Sequence, residues 1–297
     1  CKLLCFVRTS SDTKFLQTLK GVEIVYGDLT DKSTIVKALI GCNRVIHCAA
    51  LAKDWGAFTD FYRANVIATM NLIEAAQEKG IEQIIYTGTI SVYGEEDSQQ
   101  RKSEHSPYNP RYSYWLGRLF PSAMNYYRVS KTMALKWAMA FCRYHEMDLT
   151  VIEPVWVFGE REMNTGFYQY TKSVLQGVNV MPGGSANNFH VIYAKDLAKS
   201  YHKAISKNIS GINRYIIGNP VSTNMRRTFD LFCQGAGANR PMLIKKSIIY
   251  PIAFAMELIY TLFRCKNPPL LTRGRINMFY DNIDFDVTKA KVELDFT

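Results

Sequence analysis

The chain has 297 residues, 47% hydrophobic and 21% charged, so it can bury a sizeable core and is neither disordered nor fibrous. Lysine and arginine outnumber aspartate and glutamate 36 to 26, for a net charge of +10. That balance suits anionic partners such as cofactor phosphates or acidic lipids, while the absence of a basic block interleaved with aromatics argues against nucleic acid. The seven cysteines form no Cys-x-x-Cys and the five histidines no ligand cluster, so no metal is expected and the thiols read as reduced, in a cytoplasmic protein.

Residues 2–7 (KLLCFV) form a short apolar strand ending at Arg8. Thr9-Ser10-Ser11-Asp12 then caps a short helix that ends at Gly21. A strand over 22–26 leads into Gly27-Asp28-Leu29, a helix over 31–40 stops at Gly41, and a strand over 44–48 opens into Ala49-Ala50. The span 58–79 reads as one amphipathic helix with Tyr62, Val66, Met70, Ile73 and Ala76 on one face and Gly80 as its stop. A strand over 83–87 follows, then Gly88-Thr89-Ile90-Ser91-Val92-Tyr93-Gly94. The next polar loop, of roughly 30 residues, is longer than ordinary connections and points to function. A long helix to about His145 and a strand over 149–152 complete this half. Strands and helices alternating at this spacing predict parallel βαβ units in a doubly wound α/β sheet, assigned to residues 1–159.

Such a sheet binds ligands outside the carboxyl ends of its strands. Arg8, Asp28, Ala49, Ala50, Thr89 and Pro154 each fall at or just past a strand end. On the long helix, Tyr127 and Lys131 are four residues apart and share one face. A free tyrosine has a pKa of roughly 10, and a fixed positive charge beside it favours the phenolate. A phenol so tuned can exchange a proton with a carbinol or carbonyl. By itself the spacing is common on solvated helices; its place at the ligand edge is what singles it out.

From residue 160 onward the pattern is more varied and reads as a smaller mixed α/β substrate-binding portion, with strands and helices that can return to the main sheet. Helices are expected over 166–175 and 224–233 and a strand over 214–218. The apolar run 248–263 contains Pro251 and Glu257 and is flanked by Lys245, Lys246 and Arg264. It falls short of the ~20 residues of a membrane span. A buried helix, an interfacial anchor and a true span all stay open, so contact with a membrane surface through 245–264 is one expectation.

These motifs together resemble the extended short-chain dehydrogenase/reductase family. Gly27-Asp28-Leu29 resembles its adenine-side Asp-Leu, and His47-Cys48-Ala49-Ala50 its (N/H)-x-A-A turn. Asn65 resembles its helix asparagine, and Thr87–Gly94 its S-S-x-x-V-Y-G segment. Tyr127 and Lys131 match its Tyr-x-x-x-Lys, Glu153–Gly159 resembles R-P-x-x-x-Y-G, and Asp286–Leu294 resembles the closing D-x-x-K-A-x-x-x-L. The apolar run followed by Pro268-Pro269-Leu270-Leu271-Thr272-Arg273 is similar to the 3-beta-hydroxysteroid and sterol dehydrogenase branch.

The resemblance implies a Rossmann sheet and a nicotinamide dinucleotide. Tyr127 would be the general acid/base, Lys131 would tune it and hold the nicotinamide ribose, Thr89 (or Ser91) would bind the substrate oxygen, and Asn65 would support the site. Arg8, Asp28, Leu29, Ala49, Ala50, Lys131, Pro154 and Val157 would line the cofactor. An arginine at Arg8 favours NADP over NAD, because it can accept a 2′-phosphate. The implied reaction interconverts an alcohol and a ketone on a bulky apolar, steroid- or isoprenoid-like molecule. A homodimer is a family expectation. The alternatives are a nucleotide-sugar epimerase or dehydratase and a non-catalytic nucleotide-binding protein. One departure is large: the family's first strand and Gly-x-x-Gly-x-x-Gly turn are missing, residues 2–7 read as its second strand, and the sequence is expected to be part of a longer product.

Overall fold

Apolar runs alternating with capped helices fold here into parallel β-α-β units. In the computed structural model, which describes residues 2–94, 100–162, 166–178, 180–184 and 186–296, the first half runs β1 (Leu3–Val7), α1 (Lys14–Gln17), β2 (Val22–Tyr26), α2 (Lys32–Ala38), β3 (Arg44–His47), α3 (Phe58–Phe61), α4 (Ala68–Glu78), β4 (Gln83–Thr87), α5 (Ala123–Tyr144) and β5 (Asp148–Pro154). The second half adds β6 (Trp156–Phe158), α6 (Gly166–Leu175), β7 (Val180–Pro182), β8 (Asn188–Phe189), β9 (Val191–Tyr193), α7 (Ala194–Lys207), β10 (Ile212–Ile217), β11 (Thr223–Asn224), α8 (Met225–Gly235), β12 (Met242–Ile244), α9 (Lys246–Leu262), α10 (Arg273–Tyr280) and α11 (Thr288–Glu293). Cys1 and residues 95–99 of the long polar loop lie outside the described residues.

The main sheet has the order β10-β5-β4-β3, all parallel. β4 and β5 are buried along nearly their whole length, as parallel strands covered on both faces must be. β1 and β2 pair with each other, in parallel, as a separate two-stranded sheet. The doubly wound sheet is therefore in two pieces. β3 alternates between exposed and buried residues, with Ile46 40% exposed, unlike its neighbour β4.

The single helix expected over 58–79 is corrected by the structure. Residues Tyr62–Ile67 wind as a π-helix between α3 and α4. Val66, Ile73 and Ala76 are buried as the periodicity predicts, but Tyr62 and Met70 are only half-buried. The wider turn also brings Asn65 to the interior, at 1% exposure. π-bulges of this kind gather at functional sites.

Two arginines of the 268–275 segment tie the apolar helix and the loops together. Arg273, buried, pairs with the buried Glu257 of α9 (Nε to Oε2, 2.8 Å) and donates to the carbonyls of Trp115 and Phe120, each at 2.6 Å. Arg275 holds Asp54 through Nη2 (2.9 Å) and Nε, fixing the segment that follows β3. Lys246, which flanks the apolar run, pairs with the buried Asp281 at 2.8 Å. Removing one partner of a buried ion pair leaves the other charge uncompensated. Arg273→Met is expected to lower stability by about 3–5 kcal/mol in urea denaturation, and the double replacement with Glu257→Met by less. A double variant as unstable as the single would show that Glu257 is not the group left stranded.

Candidate active site

Tyr127 lies in the second turn of α5. It is half-buried and packs on a small apolar cluster of Tyr114, Met124 and Met278, which Tyr112 and Trp156 also touch. Lys131, one turn further on, is 3% exposed. Its Nζ donates to the carbonyl of Thr87, the last residue of β4, at 2.8 Å and stands 4.4 Å from the centre of the Tyr86 ring. Burial pulls this amine down to about 7, against the nearby Cys48 and Glu153, which favour the ammonium.

Around Lys131 the polar groups are linked in one buried layer. The Asn65 amide accepts from Leu51 N (2.7 Å), donates to Leu51 O (3.3 Å) and donates to Ser130 Oγ (2.9 Å). Ser130 in turn donates to Tyr127 O at 2.9 Å. Asn65 therefore fastens the segment after Ala49-Ala50 to the turn of α5 that carries Tyr127. The Thr69 hydroxyl donates to Asn65 O at 2.7 Å, which leaves it to accept from His47 Nε2 at 2.9 Å. Burial, with the Lys131 charge adding to it, holds the His47 imidazole down at about 3, so the ring is neutral at pH 7. The Thr87 hydroxyl meets the Tyr201 hydroxyl at 2.7 Å and donates to Cys48 Sγ at 3.4 Å.

Thr89 is buried and caps the short 3-10 turn Ile90–Tyr93: its Oγ1 accepts from Ser91 N and donates to Ser91 Oγ, both at 3.2 Å. The two candidate hydroxyls, Thr89 and Ser91, thus form one pair. Gly88 just before them is required by close packing, because a β-carbon there would stand 2.8 Å from Glu153 Cγ. Glu153 occupies the place where the resemblance sets an arginine. It is fully buried, accepts from the Tyr93 hydroxyl at 2.6 Å and pairs with Arg214 of β10 at 3.0 Å. Burial raises its carboxyl to about 6, against Arg214 and the Tyr93 hydrogen bond. Sequence reasoning missed this pair, since no local signal joins two residues on different strands.

The residues that the resemblance sets on the adenine side collect at the ends of β1 and β2. Asp28 accepts from Thr30 N and Thr30 Oγ1, both at 2.8 Å. These hydrogen bonds, with lesser help from Arg63 and Arg8, hold its carboxyl below the usual range. Asn71 secures Leu29 O at 3.0 Å. Arg63, which the sequence reading did not single out, donates to Thr30 Oγ1 at 3.3 Å. Arg8, Asp28, Ala49 and Ala50 are exposed and Leu29 is half-buried. Pro154 ends β5, and Val157 lies in β6 beside Ile192. A nicotinamide dinucleotide fits these residues at its two ends: carboxylate and cations for the adenosine, and a buried amine at a strand end for the nicotinamide ribose. The sequence holds no Gly-x-x-Gly-x-x-Gly cradle for the diphosphate between them.

A lysine whose folded pKa lies below its unfolded value binds fewer protons folded than unfolded, so stability rises with pH between the two values. The penalty from Lys131 is complete below about 7 and fades toward the ordinary lysine range near 10. Without cofactor, Lys131→Met is expected to raise the urea midpoint, and more at about pH 6 than at about pH 9.5. An equal shift at both pH values would mean that the amine titrates normally.

The model of the NAD dependent epimerase/dehydratase family matches residues 2–218. Among relatives, the sterol-4-alpha-carboxylate 3-dehydrogenase (decarboxylating) of Dictyostelium discoideum is 24% identical over 100% of this chain and 88% of its own length. The 2-alkyl-3-oxoalkanoate reductase of Shewanella oneidensis is 23% identical over 93% of this chain and 72% of its own. Among solved structures, the dTDP-glucose 4,6-dehydratase DesIV of Streptomyces venezuelae, with NAD and TYD bound, superposes with a TM-score of 0.75 at 17% identity, covering 100% of this chain and 82% of that one. The chain belongs to the NAD-dependent epimerase/dehydratase family.

Proposed function

We propose that this chain interconverts an alcohol and a ketone on a bulky apolar molecule, with Tyr127 as the proton-exchanging group. The observation that carries the reading is Tyr127 held one helical turn from Lys131, whose amine is buried against the end of β4. The bound dinucleotide supplies or accepts the hydride. In the reducing direction the Tyr127 hydroxyl gives its proton to the substrate oxygen. The Lys131 ammonium favours the resulting phenolate and binds ribose hydroxyls, and the Thr89–Ser91 pair donates to the same substrate oxygen. Asn65 acts through Leu51 and Ser130 and positions Tyr127 without touching substrate.

An apolar substrate is supported by the wall beside Tyr127 and by an open surface depression of about 520 Å³ lined by residues including Tyr112, Trp115, Tyr250 and Pro251. Tyr112 lines the depression and packs on the same cluster as Tyr127. The names of the sterol and alkyl-oxoalkanoate relatives agree with this class. A nucleotide-sugar reading needs cations for a diphosphate; the lining of the depression offers Lys246 alone, already paired with Asp281. Arg8 and Arg63, both acting on Asp28, support NADP over NAD. Peripheral contact of 245–264 with a membrane and pairing of two copies are compatible with this reading and do not depend on it.

The test is hydride transfer between NADPH or NADH and a panel of steroid-like ketones and nucleotide sugars. Tyr127→Phe is expected to lower kcat about 10²–10⁴-fold while nucleotide binding is retained. Arg8→Gln is expected to weaken NADPH about tenfold, ~1.4 kcal/mol, and NADH little. Undiminished turnover in Tyr127→Phe, or no binding of either nucleotide by the parent chain, would sink the reading.

A further inference from the structure

Helix α9 is apolar on its outer side as well as its inner side. Its buried face carries Ile249, Ala253 and Glu257. Ile248, Ile252, Ile259, Leu262 and Phe263 form a second stripe, at helical spacing, that points to solvent, with Phe263 78% exposed. By helical rise the 17-residue helix is roughly 26 Å long. It carries a proline at Pro251, and no helix of the described residues is long and apolar enough to cross a membrane.

A second apolar element is bolted to the same side. In the loop before α5, Trp115, Leu116 and Leu119 are exposed, Leu119 at 73%. The Trp115 ring packs edge-on against Phe254 of α9 at 4.9 Å, and Phe120 meets Phe254 at 6.1 Å. Arg273 grips the Trp115 and Phe120 carbonyls while paired to Glu257 of α9. Loop and helix thus present one surface.

The charges around this surface have one sign. Lys245 precedes α9, Arg264 and Lys266 follow it, and Arg118 lies on the loop; all four are exposed or half-buried, and no ion pair is formed by them among the described residues. The carboxylates of the adjoining segments, Asp54, Glu257 and Asp281, are each engaged by Arg275, Arg273 and Lys246. A second copy laid on this face by a two-fold axis would set cation against cation in either orientation of α9. An anionic bilayer fits both features, with acyl chains for the stripe and headgroup charge for the cations.

We propose that α9 and the loop 115–119 form one docking surface for an anionic lipid bilayer, and that the open depression of about 520 Å³ beside it receives an apolar substrate from the lipid on its way to the site. Trp115, Ser247 and Pro251 line that depression and are exposed next to the stripe. The lipid-facing mouth rests on the apolar-substrate reading; the docking does not.

The experiment is co-sedimentation of the full chain with vesicles of phosphatidylcholine, with and without phosphatidylserine. The chain is expected to bind the mixed vesicles and to be released by salt. Ile259→Glu with Leu262→Glu should abolish binding, and Leu119→Glu alone should weaken it strongly. Each of Lys245→Gln, Arg264→Gln and Lys266→Gln should weaken it roughly fivefold. Val221→Glu, an exposed apolar site elsewhere, should bind like the parent, and unchanged thermal unfolding of every variant verifies the fold. The docking is overturned by failure of the parent to sediment with phosphatidylserine vesicles, by glutamate variants that bind normally, or by a lipid-free dimer in sedimentation velocity that Ile259→Glu splits. For the mouth, a steroid-like ketone is offered either in vesicles or in cyclodextrin. Docking variants should be slow only with the vesicle form; equal rates for both forms would remove the mouth and leave the docking. Absence of turnover in every format would count against the proposed reaction alone.

Discussion

The buried amine of Lys131 is the constraint on which the ligand edge of the sheet depends. An ammonium in a protein interior is expensive unless its protons are used and opposite charge is near. Here the last carbonyl of β4 takes one proton, and the Tyr86 ring lies beneath the nitrogen. Both are fixed by strand pairing, β4 lying between β3 and β5. The position of α5 is therefore set from below by the sheet and from the side by Asn65 acting on Ser130. Tyr127 inherits that placement. The neutral state of His47 comes first from its own burial, and the Lys131 charge in the same layer adds to it.

The periodic part of the fold was legible in the sequence, and the reasons are local. β2, β4 and α6 occupy the residues expected from apolar alternation, glycine stops and helical spacing. The strand-end positions of Arg8, Asp28, Thr89 and Pro154 follow from the same reading, since β1 pairs with β2, and β3, β4 and β5 with one another, in parallel. The π-turn at Tyr62–Ile67 was not legible. One extra residue per turn leaves an apolar pattern that still resembles an ordinary helix, and only tertiary contact shows Asn65 turned inward. The pairs Glu153–Arg214, Glu257–Arg273 and Lys246–Asp281 were hidden for a different reason. Their members lie on separate elements, and their matching depends on strand register and helix packing that composition does not encode.

Helix α9 shows why a single hydrophobicity profile leaves three readings open. Its buried stripe contains a glutamate, which reads as a break in an apolar face until Arg273 is placed opposite it. Its exposed stripe contains only apolar side chains, which reads as core until burial is known. Average hydropathy does not distinguish the two faces: the one with the charge is inside and the uncharged one is outside. Large contiguous apolar exposure of that kind marks an interaction surface, and it is uncommon for a helix whose inner face is already secured by a buried ion pair.

The exchange of an acid for the family's arginine at Glu153 bears on the chemistry more than on the fold. Glu153 sits beneath Gly88, at the strand end where Lys131 also donates, and its charge favours the ammonium. An arginine at that position would act on Lys131 in the opposite sense and deepen the depression that burial already causes. Arg214 restores the balance of the buried pair from the neighbouring strand β10, stacked over Tyr93 and Tyr108, and leaves the acid as the partner that Lys131 feels. Because burial lifts the Glu153 carboxyl to about 6, that support weakens as acid is added, just where Lys131 itself becomes fully protonated. Both changes add positive charge as pH falls, so the charge beside Tyr127 swings by two units around neutral pH.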